Sequence, residues 1–133
     1  LANRRKRRRR KGHYHIGIHS SPKAGDCEYR SGWELLFMQH LDADASVASY
    51  QYEGICIPYV SNTRSGKLRK YYPDFLVEHV DGRKRLVEIK PKKRMEQARI
   101  QKKLKAAEAW CLTHGVALEV ITEVELKAMG LLK

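Results

Sequence analysis

Trp33, Phe37 and Leu41, with Leu36 between them, recur at the spacing of one helical face. Ser31-Gly32-Trp33-Glu34 sets Ser and Glu three residues apart, as in a capping box, so a first helix is predicted over residues 32–41. Aromatic and β-branched residues over 49–60, interrupted by Pro58, predict a strand, and 62–66 reads as a turn. Residues 71–80 and 84–90 about Asp81-Gly82 give the clearest hairpin pattern, closed by Pro91. Between 94 and 114, Ile100, Leu104, Ala107 and Cys111 share one face, and Gly115 stops the helix. A short apolar strand over 117–121 follows, and Thr122-Glu123-Val124-Glu125 opens a last helix ending near Gly130. Residues 12–26, rich in Gly, His and Ser, lack apolar periodicity and read as an extended lead-in. The order helix, three strands, helix, strand, helix predicts an α/β chain. Its mixed four-stranded sheet is flanked by helices, an α-β-β-β-α-β core plus a short C-terminal helix.

A chain of 133 residues can build one core and is too short for two. No apolar run reaches the roughly 18 residues of a membrane span, so a soluble protein with no membrane partner is expected. No apolar stretch with a small-residue cleavage site follows the basic start, which argues against a secretory signal. Cys27, Cys56 and Cys111 are odd in number and lack the paired spacing of zinc or disulfide frameworks, which favours a reducing, intracellular setting.

Charge changes the picture more. The formal net charge is +12, and Arg4, Arg5, Lys6, Arg7, Arg8, Arg9, Arg10 and Lys11 supply eight of those cations, leaving +4 for the rest. The chain thus divides into a basic arm and lead-in, 1–26, and a mildly basic domain, 27–133. A run of like charge cannot bury a core and is drawn to phosphate backbones through counterion release, so DNA or RNA is the first partner to expect. The plainer readings of the run are a solvated tail, a nuclear-localisation-like patch or an anionic membrane contact.

Asp74 and Glu88 fall on the two arms of the hairpin, with Lys90 two residues on. A two-residue Asp81-Gly82 turn would send the two carboxylates to opposite faces of the sheet. A three-residue loop, Val80-Asp81-Gly82, pairs Asp74 with Glu88 directly, and it also sorts Phe75, Val77, Val87 and Ile89 onto one apolar face. The second register is the expected one. Adjacent carboxylates with no guanidinium between them call for a shared proton or a hard cation, and Mg2+, with Mn2+ as a substitute, fits. Lys90 would then orient water or stabilise transition-state charge. The plainer alternative is a cross-strand surface cluster that Lys90 neutralises.

Tyr72-Pro73-Asp74 followed by Glu88-Ile89-Lys90 resembles the signature of the PD-(D/E)XK nucleases, and the element order is similar to their restriction-endonuclease-like core. The resemblance implies metal held by Asp74, Glu88 and the carbonyl of Ile89, with Lys90 catalytic. The stretch from Tyr29 to Phe37, read together with Tyr72 to Leu76, is most similar to two groups within that superfamily: head-completion nucleases of T-even-type phages, and the endonuclease subunit of heteromeric transposases. Ile57-Pro58-Tyr59 and Lys105-Ala106-Ala107-Glu108 favour the phage group, and Glu88 stands where the transposase subunit usually has Gln. What this implies is a DNA endonuclease of the host cytoplasm, with the virion as a second location. Phage head or neck proteins are further candidate partners, and a homodimer would serve cutting of both strands. A Holliday-junction resolvase shares the chemistry, whereas a DNA-binding or virion structural protein would keep only the fold.

Glu34 has two readings, a fourth member of the site by the same resemblance or the capping partner of Ser31. Its face, shared with Met38 and Leu41, points into the domain, where carboxylates are seldom placed without a partner. Lys92, Lys93, Arg94 and Lys102, with Arg99, Lys103 and Lys105 beside them, either line a DNA path or form a solvated helix face. His13, His15 and His19 lack a completing Cys or His cluster and are read as phosphate or solvent contacts. Deleting the eight-cation arm should weaken DNA binding equally across sequences and flatten its salt dependence. An unchanged slope of binding against salt after deletion would reject the arm as a DNA contact.

Overall fold

The computed structural model describes residues 14–133, so the arm, Arg4 to Lys11, and His13 lie outside the described residues. The elements run β1 (Tyr14–Ser21), β2 (Gly25–Ser31), α1 (Gly32–Ala43), β3 (Val47–Tyr52), β4 (Ile57–Asn62) and β5 (Lys67–Tyr71). They continue with β6 (Phe75–His79), β7 (Lys84–Ile89), a 3-10 turn (Lys92–Arg94), α2 (Ala98–His114), β8 (Ala117–Ile121) and α3 (Glu123–Ala128). Strands β3, β6, β7 and β8 form the four-stranded sheet in that order. The β3–β6 and β6–β7 pairs are antiparallel and β7–β8 is parallel, which makes the sheet mixed and the fold restriction-endonuclease-like. Among the described residues no helix is long and apolar enough to cross a membrane.

The β6–β7 hairpin pairs Phe75 with Val87, Leu76 with Leu86, Val77 with Arg85 and Glu78 with Lys84. Its loop is Val80-Asp81-Gly82: His79 N–H donates to Arg83 O at 2.8 Å, Gly82 N–H donates to His79 O at 2.9 Å, and Gly82 takes φ +88°. Only a residue without Cβ enters that left-handed region at little cost. With this register Phe75, Val77, Val87 and Ile89 pack against Phe37, Met38 and Leu41 of α1. The Phe37 and Phe75 rings lie 5.2 Å apart in a tilted pair, and both are fully buried. The opposite face carries Leu86 and Leu76 into a second cluster with Ile57, Tyr59, Tyr71, Ala107 and Cys111 beneath α2. Burying each large apolar side chain contributes about 1.5–3 kcal/mol, so the two faces together fix this register against a slip.

The structure departs from the sequence reading in four places. Residues 14–26, read as an extended lead-in, form β1 and the start of β2, a hairpin held by polar anchors rather than by apolar alternation. Asp42 of α1 accepts from Ser21 Oγ at 2.6 Å and from Tyr50 OH at 3.0 Å, and lies 2.6 Å from His19 Nε2. Lys23 Nζ donates to the carbonyls of Leu41 and Asp44, closing the C-terminal end of α1. The single strand expected over 49–60 is two, because Glu53 adopts φ +52° and turns the chain out of the central sheet. β5 leaves no signal in the sequence pattern because four of its five residues are exposed and show no alternation. The helix expected from residue 94 begins at Ala98, since successive bonds from Arg94 N–H to Pro91 O and from Gln97 N–H to Arg94 O make tighter turns there. α3 opens with the Thr122–Glu125 capping box that the sequence announced.

Burial pushes the Asp42 carboxyl up, but the hydrogen bonds from Ser21, His19 and Tyr50 outweigh it and hold the group below the usual carboxylate range. A depressed folded pKa stabilises above the unfolded value and loses that contribution as pH falls through the folded one. Asp42→Asn should therefore cost about 1–2 kcal/mol in urea unfolding at pH 7. The gap to wild type should narrow as pH drops below about 4. A gap that stays constant with pH would show that the charge of Asp42 contributes nothing.

Candidate active site

β6 begins one residue after Asp74, and β7 ends one residue after Glu88, so the register that packs the core also sets the two carboxylates opposite each other. Both are buried, at 7% and 5% exposure, and Glu34 of α1 is buried at 8%. Asp74 Oδ2 accepts the Ile89 N–H at 2.7 Å. Glu88 Oε1 accepts the Tyr71 hydroxyl at 2.9 Å and, more weakly, the Asp74 N–H at 3.3 Å. Lys90 places Nζ 3.3 Å from Glu88 Oε2. Glu34 Oε1 accepts the Tyr52 hydroxyl at 2.7 Å and the Arg30 N–H at 2.8 Å.

Glu34 thus does not close a capping box. Ser31 Oγ accepts the Glu34 N–H at 3.2 Å, but the carboxylate reaches past Ser31 to the preceding residue and to β3. Its charge is felt at Asp74. Burial first, then the charges of Glu88 and Glu34, push the Asp74 carboxyl well above its ordinary range, and Lys90 and the Ile89 N–H only partly offset this. Three buried carboxylates and one nearby ammonium leave the cluster with surplus negative charge.

Two tyrosines that the sequence offered only as strand aromatics hold this charge in place. Burial, followed by the neighbouring carboxylates, raises the Tyr52 and Tyr71 hydroxyls, so both remain protonated donors, Tyr52 to Glu34 and Tyr71 to Glu88. Arg30 and Glu53 form a second frame. Arg30 Nη1 lies 3.6 Å from Glu53 Oε1 and has no hydrogen-bond partner among the described residues. The backbone N–H groups of this pair hold the acids' segments, Arg30 to Glu34 and Glu53 to the Asp74 carbonyl at 2.9 Å. The available signal was positional: Arg30 and Tyr71 lie within four residues of a candidate acid, Tyr52 ends β3, and Glu53 directly follows it.

Asp74 and Glu88 present hard oxygen donors side by side. Among the described residues no group of three or more His, Cys, Asp or Glu side chains is placed to hold a metal ion, so the oxygen donors in reach are those of the Asp74–Glu88 pair. Two carboxylates in register, with carbonyl, water and phosphate oxygens to complete the shell, are the usual protein share for a magnesium ion.

The cations read as a DNA path separate into two groups. Lys92, Lys93 and Arg94 sit in the 3-10 turn directly after Lys90 and Pro91, where the Lys92 N–H is held by Glu123 at 2.8 Å. Lys102 lies on α2 and donates to the Ser61 carbonyl of β4 at 2.8 Å, while Lys103 Nζ stands 5.5 Å over the Tyr71 ring. His19 is committed to Asp42.

The family model for the TnsA-like endonuclease N-terminal domain matches residues 44–123, a span that includes Asp74, Glu88 and Lys90. The chain is also 28% identical over 124 residues to the head completion nuclease of Enterobacteria phage T4, a match covering 77% of this chain and 82% of that protein.

The raised Asp74 carboxyl yields a stability test. An acid whose folded pKa lies above the unfolded one costs stability as pH rises past the unfolded value near 3.9, and at neutral pH that cost is present. In EDTA at pH 7.5, Asp74→Asn should therefore melt higher than wild type, by roughly 4 °C for a relief of about 1 kcal/mol. A variant that melts at or below the wild-type temperature would mean the carboxylates are not in conflict.

Proposed function

The chain belongs to the TnsA-like endonuclease N-terminal family and is a PD-(D/E)XK-like nuclease, and on that premise we propose a divalent-metal-dependent DNA endonuclease. The observation that carries this reading is the in-register Asp74–Glu88 pair with Lys90 at 3.3 Å and the buried Glu34 charge facing it. Asp74, Glu88 and the Ile89 carbonyl would hold a magnesium ion, or manganese in its place, which when bound supplies phosphoryl polarisation and a more acidic water. Lys90 brings ammonium donors to the edge of the cluster, where they orient the attacking water or hold a phosphate oxygen. Glu34, fixed through Oε1 by Tyr52 and Arg30, adds the negative charge that favours the cation over a bare proton. Lys92, Lys93 and Arg94 follow within four residues of Lys90 and are assigned to the flanking phosphates.

Within this chemistry a head-completion kind of nuclease is favoured, because the likeness to the T4 protein runs through most of both chains. The matching family model supports the second reading, a transposase endonuclease subunit. Glu88 in place of that subunit's usual Gln weighs toward the first.

Supercoiled plasmid should be nicked in Mg2+ or Mn2+ and left intact in EDTA. Asp74→Asn and Lys90→Ala should each lower cleavage by orders of magnitude. Gln at position 34 can accept the same two hydrogen bonds but carries no charge. Glu34→Gln should therefore melt no lower than wild type and bind DNA equally, yet cleave at least about a hundredfold more slowly at saturating DNA, the pattern of a transition-state contact. Wild-type protein inert on plasmid in both metals would turn the reading to a DNA-binding or virion structural protein.

A further inference from the structure

Among the described residues β4 and β5 pair with each other and with no other strand. Between Glu53 and Asp74 the chain carries Arg64, Lys67, Arg69 and Lys70 and not one carboxylate. All four cations are exposed, and none forms an ion pair among the described residues. One side of this ribbon is anchored: Ile57, Tyr59 and Tyr71 are buried with Ala107 and Cys111 of α2, and Lys102 Nζ ties down the Ser61 carbonyl at 2.8 Å. Val60 and Leu68, a directly opposed pair, remain exposed at 42% and 64%. The tip is ordered by its own bonds. Asn62 Oδ1 accepts the Arg64 and Ser65 N–H groups, its carbonyl accepts the Gly66 N–H at 2.8 Å, and Gly66 takes φ +69°.

Edge protection alone does not explain this composition. A lysine or two suffices to stop edge-to-edge pairing, and interspersed carboxylates would do so without self-repulsion. Four unneutralised cations on one short ribbon fit a polyanion. An isolated two-stranded ribbon also has the cross-section that the major groove of B-DNA admits. The root of the ribbon is the site itself, since Tyr71, its last residue, donates to Glu88 at 2.9 Å. From Tyr71 back to Lys67 the strand extends about 13 Å at roughly 3.3 Å per residue, with Lys67 and Arg69 on the face of Tyr59 and Tyr71 and Lys70 on the outer face of Val60 and Leu68, so the cations flank the ribbon on both faces.

We propose that the β4–β5 ribbon is a DNA-binding arm that lies along the duplex to one side of the scissile phosphate, with Arg64, Lys67, Arg69 and Lys70 on backbone phosphates. This rests on the nuclease reading above and adds to it a fixed direction in which the duplex leaves the site. It predicts electrostatic, sequence-independent contacts, because the cations are assigned to backbone phosphates, which carry no sequence information.

The test compares the full chain with Arg64→Gln/Lys67→Gln/Arg69→Gln/Lys70→Gln on a fluorescein-labelled duplex in EDTA, where binding is read without cleavage. The slope of log Kd against log salt should fall by about 0.9 for each phosphate no longer neutralised, up to about 3.6 for all four. Affinity at about 0.1 M salt should weaken more than tenfold. Arg64→Gln alone, at the tip and far from the buried root, should lower the slope by about one and guards against a folding defect in the quadruple variant. Unchanged affinity and slope in both variants would overturn the ribbon, even where wild type cleaves normally, and would point to a protein partner for this face. Wild type that binds duplex but never nicks it would overturn the nuclease reading, and the slope would still decide the ribbon. Wild type that binds no duplex at low salt would overturn both.

Discussion

Asp74 faces Glu88 across the β6–β7 hairpin, and bringing two buried carboxylates together is costly enough that the surroundings must enforce it. The enforcement is the hairpin register. Phe75, Val77, Val87 and Ile89 must face α1, and Leu86 must face α2, before Asp74 and Glu88 can meet. The three-residue loop ending at Gly82 is the local half of that constraint, and apolar burial on both faces is the other half. A slip of one residue would expose the core and dismantle the site together, so stability selects the arrangement that the chemistry needs.

The same economy extends outward from the pair. Tyr71 closes β5, packs under α2 and donates to Glu88, so one residue joins the ribbon, the second core cluster and the site. Tyr52 does the corresponding work at the end of β3, packing on Phe75 at 5.4 Å between ring centres while donating to Glu34. Directly after Tyr52 the chain leaves the sheet at Glu53, whose left-handed backbone is held by its bond to the Asp74 carbonyl. Strain in a non-glycine residue persists where the surroundings over-determine it, and here they are the residues that position Asp74.

What could be read from the sequence follows from which forces leave a periodic trace. α1, β8, α3 and the β6–β7 register are written in apolar spacing and turn residues, and each stands as read. The acids and Lys90 were visible because charge at strand positions flanked by apolar residues is conspicuous. The hairpins β1–β2 and β4–β5 were not visible. The first is held by Asp42, Lys23 and Ser21 across the chain, contacts that no local pattern encodes. The second buries only its root, leaving a polar run on β5 that imitates a loop. The tyrosines were hidden differently, since a buried aromatic at the end of a strand looks like core until its hydroxyl's partner is known.

The ordering of charge in space then gives a physical logic to the whole chain. Negative charge is concentrated and buried at Glu34, Asp74 and Glu88, whereas positive charge is spread over the exposed 3-10 turn, the outer face of α2 and the β4–β5 ribbon. A buried anionic cluster alone would repel a phosphodiester. On the proposed function, the exposed cations around it would draw the backbone in over a larger distance, and a divalent cation on the carboxylates would relieve repulsion at the centre. On that reading the two charge populations are complementary parts of one binding event. Salt should act on the outer one, which is open to screening, much more strongly than on the inner one, which is not.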